Sequence, residues 1–233
     1  MGYRAGEDVF VESKPFSYVV DPQFRKIVCD SCLKEANGLF ACTECHEVYY
    51  CDKSCQKNAW KSHHKVECGY LQNIPEYLNS PPKIKVVALF ALRIVLKLSQ
   101  NGKDEFVTLP NGKKRYFADL MSHKDKLKED METNWALQRM YLKRMFEPFQ
   151  GWLADKAPSL DEFLEIYGKI KINAAELEHA SGLYLGYSAI DHSCAPNAAF
   201  FDNGTELTIR ARDDIKDFSG IFLFYLRRIE MFS

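Results

Sequence analysis

The 233-residue chain carries 31 basic and 32 acidic side chains, a formal net charge of −1, which argues against a general nucleic-acid binder with its basic excess. A composition that is 46% hydrophobic supports a real core, in one large domain or two small ones. No charged n-region followed by an apolar h-region opens the chain, and the longest apolar stretch, Ile84 to Leu98, is too short and too charged for a membrane span.

Residues 3–24 alternate apolar and polar around Val9-Phe10-Val11 and Tyr18-Val19-Val20, which predicts two short strands broken near Pro15. Seven of the eight cysteines then crowd between Cys29 and Cys68. Their order is Cys29-x2-Cys32, Cys42-x2-Cys45, Cys51-x3-Cys55, then His63-His64 and Cys68. A Cys-x2-Cys turn points two thiolates at one ion, so the pairs suit tetrahedral zinc. Seven thiolates and one imidazole complete two four-coordinate sites and leave no position for a catalytic water. Both sites therefore read as structural. A disulfide framework is disfavoured by the odd number of clustered cysteines, the nearby histidine and the lack of a leader. Reduced thiols holding zinc imply the cytoplasm or the nucleus. His64 lies four residues before Cys68, so one helical face offers both to a single metal.

This stretch resembles the MYND zinc finger, down to Tyr50-Cys51, Cys55-Gln56, Trp60 and Glu67-Cys68. The resemblance implies interleaved ligands: Cys29, Cys32, Cys51 and Cys55 on one zinc, with Cys42, Cys45, a histidine and Cys68 on the other. Spacing to Cys68 favours His64, whereas His63 keeps the family's commoner distance from Cys55 and Trp60. MYND fingers bind short proline-rich peptides, so such a peptide is an implied partner. Lys53, Lys57, Lys61 and Lys65 recur every four residues, a basic stripe that reads as a solvated face. Its phosphate contacts would carry no sequence preference, so sequence-specific DNA binding is not expected.

Pro75 to Pro82 reads as a linker. Lys83 to Ser99 reads as a mostly buried helix whose Lys85, Arg93 and Lys97 share one narrow face, stopped at Asn101-Gly102. Leu109-Pro110-Asn111-Gly112 marks a turn. A second helix is expected over roughly 124–149, with Leu127, Met131, Trp135, Leu137, Tyr141 and Met145 on a core-facing stripe. A third runs from a capping box at Ser159 and Glu162 to about Tyr167. Beyond Gly182, 198–201 and 207–210 flank Asp202-Asn203-Gly204 as a hairpin, and Ile221 to Leu226 reads as a fully apolar strand.

Gly182-Leu183-Tyr184, Ser188 and Asp191-His192-Ser193-Cys194-Ala195-Pro196-Asn197 resemble the signature of SET-domain lysine methyltransferases. Lys171-Ile172-Asn173 resembles the segment before it, and Arg210-Ala211 followed by Ile215 the strand after it. Tyr225 stands where that family carries its catalytic tyrosine. A MYND finger between an N-terminal SET portion and a helical insertion is the order of the SET-and-MYND family, and the likeness spans nearly the whole chain. It implies an α+β fold: a small-strand SET β-domain with an inserted two-zinc MYND finger and a helical insertion. The expected division is 1–24 for the first SET part, 25–72 for the finger, 73–172 for the helical insertion and 173–233 for the C-terminal SET core.

The implied activity is S-adenosylmethionine-dependent methylation of a protein lysine, on a histone tail or another protein. Asn173, Asp191 and His192 would line the cofactor pocket, and Tyr225 would orient the amine and the methyl group. The barrier falls chiefly through alignment of the reacting atoms. Four departures from the family pattern stand out. Asp191 replaces the usual asparagine, and Phe218-Ser219-Gly220-Ile221 replaces Gly-Glu-Glu-Leu. The N-terminal Gly-x-Gly-Leu strand and the post-SET cysteines have no counterpart, so the chain looks like a member trimmed at both ends. A second reading is therefore an inactive SET-and-MYND protein acting through its finger as a chromatin or transcriptional adaptor. A third is a truncated product with little activity of its own.

Overall fold

The computed structural model describes residues 2–73, 82–133, 136–153 and 156–225. The expected N-terminal strands form as β1 (Asp8–Glu12) and β2 (Ser17–Val20). They do not pair with each other. β1 runs antiparallel to β11 (Glu206–Ala211), with Phe10 opposite Ile209, and β11 continues to β10 (Ala198–Asn203). β2 runs antiparallel to β8 (Ala180–Leu183), with Tyr18 opposite Gly182, and β8 continues to β7 (Ala174–Glu176). Both sheets thus join the start of the chain to its end, and 21–173 departs from and returns to them.

The first part of that excursion holds β3 (Phe40–Ala41) paired with β4 (Tyr49–Tyr50), then α1 (Lys53–Ala59) and α2 (Lys65–Gln72). One π turn, Trp60–His64, joins the two helices. Asp52 caps α1, its side chain accepting from Cys55 N at 2.7 Å. Lys53, Lys57, Lys61 and Lys65 are all exposed.

The linker expectation over 75–82 falls outside the described residues except at Pro82, which opens α3 (Pro82–Leu98). A proline is tolerated there because the first helical N–H has no partner to lose. From Ile84 to Leu96 the helix is buried throughout, its charged face included: Lys85 and Arg93 are 9% and 4% exposed. Asn101, in the left-handed region at φ 74°, ends this run. The turn at 109–112 proves to be the tip of a hairpin, β5 (Phe106–Thr108) and β6 (Lys114–Tyr116). Both strands are three residues long, too short to show periodicity.

The expected helix over 124–149 forms throughout the described residues, as α4 (Lys124–Thr133) and α5 (Ala136–Leu153). Leu127 and Met145 of its stripe are buried. The side chains of Met131, Trp135, Leu137 and Tyr141 lie outside the described residues. α6 (Leu160–Asn173) begins at the expected capping box and runs six residues past Tyr167. Gly168 permits this, since a Cβ there would lie 2.0 Å from the carbonyl oxygen of Ser122. The β10–β11 turn centres on Gly204 and Thr205, one residue later than the Asp-Asn-Gly triplet suggests, with Asn203 opposite Glu206 and Gly204 at φ 63°.

The apolar strand over 221–226 is cut to β12 (Phe222–Leu223), parallel to β9 (Asp191–His192). Ile221 and Leu223 are buried, whereas Phe222 and Phe224 are 37% and 42% exposed. The segment is apolar on both faces but buries only one; Leu226 lies outside the described residues.

Two apolar clusters hold these parts together. One gathers Phe16, Val19 of β2, most of α3, parts of α5 and α6, and Cys29, Cys42 and Cys68. The other lies between the sheets, around Val9, Tyr184, Leu207, Ile209 and Leu223. The cysteine-rich segment therefore shares its core with α3. Each large side chain sealed there, such as Leu89 or Phe90, contributes roughly 1.5–3 kcal/mol.

Candidate functional site

The eight expected zinc ligands fall into two groups. Sulfurs of Cys29, Cys32, Cys51 and Cys55 form one; Cys42, Cys45 and Cys68 with a nitrogen of His64 form the other. Within each group the atoms lie within 4.8 Å of one another. Cys32 and Cys51 Sγ are 3.5 Å apart, Cys42 and Cys68 Sγ 3.8 Å, and Cys45 Sγ and His64 Nε2 3.7 Å. Zinc–sulfur bonds of ~2.3 Å give a tetrahedral edge of roughly 3.8 Å. Both donor sets fit zinc. Their electrostatics ask for it: burial and neighbouring thiols push the Cys55 and Cys68 thiols up to about 12. A dication is what keeps such crowded thiols ionised. Burial acts against Cys42 too, yet donors led by the Cys45 backbone bring it down to about 7.

His63 points elsewhere. The π turn inserts one residue into the helix, and both histidines are buried, but only His64 reaches the cysteines. His63 Nε2 lies 3.6 Å from Asp30 Oδ2 and 3.8 Å from Glu67 Oε2. This third convergence of potential ligands is filled by Arg93 of α3. Its Nη2 donates to Asp30 Oδ2 at 2.8 Å, its Nε to Glu67 Oε1 at 2.7 Å and its Nη1 to the Tyr18 carbonyl at 3.0 Å. Burial and the Arg93 charge lower the His63 pKa. Arg93 was visible as a charge in an apolar helix; Asp30 and Glu67 had no signal beyond standing next to Cys29 and Cys68.

The C-terminal residues converge on the β9–β12 pair. Phe222 stands opposite Asp191 and Leu223 opposite His192. The Tyr225 backbone N–H donates to His192 Nδ1 at 3.1 Å, and the two rings lie 5.5 Å apart. The Tyr187 ring also packs against Tyr225 at 5.5 Å. Asn197 clasps the replaced Phe218–Ile221 segment: its Nδ2 donates to Gly220 O at 2.7 Å and its Oδ1 accepts from Phe222 N at 2.8 Å. Burial, then the Asp191 carboxylate, push the Tyr225 phenol up to about 12, against the pull of Arg115. Asp191 and His192 are exposed and Tyr225 is half-buried.

Asn173 occupies a different setting. It is buried at the end of α6, where its Nδ2 donates to Met121 O and Lys169 O at 2.9 and 2.8 Å. Both amide hydrogens are thereby committed to the fold.

Two residues that sequence reasoning missed hold the turn before Asp191. Glu12 is 4% exposed and accepts from the backbone N–H groups of Leu185, Gly186 and Tyr187 at 2.9, 2.8 and 3.3 Å. Burial outweighs those donors and pushes its carboxyl up to about 7. From the other side Arg115 of β6 donates to Ser188 Oγ at 3.1 Å and Ser188 O at 2.8 Å. Neither residue lies in a motif. Together these groups offer a carboxylate, a guanidinium, an imidazole, a phenol and aromatic faces. That donor set fits a ligand bearing a cation, an α-carboxylate and a heteroaromatic base, as S-adenosylmethionine does.

The MYND finger family matches residues 29–68. Over 96% of its length the chain is 32% identical to the histone-lysine N-methyltransferase SMYD3 of Homo sapiens, covering 50% of that protein. It is 30% identical to the histone-lysine N-methyltransferase ASHR1 of Arabidopsis thaliana over 96% of the chain and 45% of the relative. To the N-lysine methyltransferase SMYD2 of Homo sapiens it is 24% identical over 94% of the chain and 49% of the relative. The chain thus spans about half the length of the curated relatives it matches.

Proposed function

The chain is a homologue of the SET-and-MYND lysine methyltransferases, and on that premise we propose that it forms an S-adenosylmethionine-dependent protein-lysine N-methyltransferase core. Residues 1–24 and 173–233 are the halves of a split SET domain, interrupted by the finger at 25–72 and a helical insertion at 73–172. Cys29, Cys32, Cys51 and Cys55 hold one structural zinc; Cys42, Cys45, His64 and Cys68 hold the other. Thiolate-held zinc suits the cytoplasm or nucleus, where lysines of histones and other proteins are available.

The convergence of Tyr225 on the Asp191-His192 strand carries this reading. When bound, S-adenosylmethionine supplies a methyl group activated by a sulfonium. Asp191 offers a carboxylate to its cationic parts, and His192 a ring edge. Asn173 supports the pocket from the end of α6, through the backbone it fastens. The Tyr225 phenol, held protonated with its pKa near 12, orients the lysine amine instead of removing its proton. The buried Tyr187 ring, packed against the half-buried Tyr225, helps exclude water and so favours a neutral amine.

A second reading rests on the finger. Phe40 and Trp60 are 67% and 41% exposed, and such rings suit a proline-rich peptide, which would make the chain an adaptor. Calorimetric titration of the zinc-loaded chain with S-adenosylmethionine, beside Asp191→Asn and Tyr225→Phe, separates the two. The methyltransferase reading expects saturable micromolar binding in all three, with transfer to a histone peptide lost in Tyr225→Phe. Folded protein that binds no S-adenosylmethionine in any of the three would favour the adaptor.

A further inference from the structure

Arg93 stands where the third cluster of Asp30, His63 and Glu67 would otherwise hold an ion. Its guanidinium lies within 3.0 Å of both carboxylates, and all four side chains are nearly or fully sealed from water. A metal would have to displace a fixed positive charge from between two fixed negative ones. The same Glu67 accepts at Oε2 from His64 Nδ1 at 3.2 Å, while His64 Nε2 faces Cys45. That bond places the proton on Nδ1 and leaves Nε2 as the free metal-binding nitrogen. On its far side Arg93 donates to the carbonyl of Tyr18, in the strand β2 that pairs with β8.

We propose that Arg93 is an internal cation replacing a third metal, and that the relay Tyr18 carbonyl–Arg93–Glu67–His64 positions the second zinc site and ties it to the methyltransferase core. Asp30, beside Cys29 of the first site, completes the relay by accepting from Arg93 Nη2, the nitrogen that also donates to Glu67 Oε2. Glu67 and Arg93 are positioning residues: neither touches the zinc, and each acts through His64. The second zinc is then more weakly held once the relay is cut, and the first is not.

Site-resolved zinc release tests this. Native mass spectrometry counts the zinc ions, and a chromophoric chelator times their release from the wild-type chain, Glu67→Gln, Arg93→Met and Arg93→Lys. Cys45→Ser and Cys32→Ser identify which release phase belongs to which site. The proposal expects two zinc ions in the wild type. It expects one phase, the second site's, at least tenfold faster in Glu67→Gln and Arg93→Met, with partial rescue in Arg93→Lys. Cobalt loading should shift the visible bands of the second site alone in Glu67→Gln, a signature that a purely structural role would leave unmoved. Glu67→Gln preserves side-chain shape, so it carries the test if Arg93→Met does not fold. A third tightly held zinc would overturn the proposal, as would unchanged release in folded Glu67→Gln or equal acceleration of both phases.

Discussion

Glu12 and Gly186 lie 174 residues apart in sequence, yet the carboxylate of one accepts the backbone N–H of the other at 2.8 Å. This contact places the N-terminal strand under the turn that leads into Asp191. Gly186 is needed for it, because a Cβ there would sit 2.8 Å from Glu12 Oε2 and 2.2 Å from the Phe10 ring.

The Glu12 carboxyl is raised from 4.5 to about 7, so the folded chain holds its proton more tightly than the unfolded chain. The associated stability is present below about pH 4.5 and is lost as pH rises toward 7, after which it is level. Its size is roughly 3 kcal/mol, at about 1.4 kcal/mol per unit. Glu12→Gln cannot titrate. Wild-type Tm minus variant Tm should therefore fall between these pH values; a flat or rising difference would mean the three N–H donors outweigh burial.

His64→Ala should release one zinc of two, since His64 alone of the paired histidines reaches the cysteine sulfurs. His63→Ala should keep both, at a stability cost of about 2–4 kcal/mol for the vacated buried volume. Metal analysis and thermal melts of the two variants distinguish these outcomes.

Chelation should unfold more than the finger. Cys29, Cys42 and Cys68 pack in the same apolar cluster as Leu89, Phe90 and Leu164. Structural zinc carries apparent binding energies of ~10–16 kcal/mol, comparable to the ~5–15 kcal/mol stability of a whole domain. Circular dichroism during titration with a strong chelator should show loss of helix signal well beyond α1 and α2. Retention of the remaining helices would show that α3 packs independently of the metal.

Asp191→Asn should lower the Tyr225 pKa, because the carboxylate is one cause of its rise and Arg115 acts the other way. Arg115→Leu should raise it further. Ring-carbon NMR of labelled tyrosine, titrated into the alkaline range, reads both shifts. Movement of the Asp191→Asn value upward would exclude the charge coupling.

Ligand spacing, capping chemistry and burial period were all legible in the residues, because each is a short-range pattern. Cys-x2-Cys turns, the Ser159–Glu162 box and the apolar run of α3 each depend on neighbours a few positions away. The C-terminal signature was legible for another reason: it resembles a known family over a contiguous motif. Only the tertiary structure decided the rest. The sequence left His63 and His64 open, and a single π turn, together with Arg93 drawn from α3, separates their roles. A fully apolar stretch at 221–226 could not reveal that Phe222 and Phe224 stay exposed. Glu12 and Arg115 reach the site across 174 and 73 residues, through backbone groups that every sequence possesses. Local patterns fix which residues can act; the long-range pairing of β1 with β11 and β2 with β8 decides which of them meet.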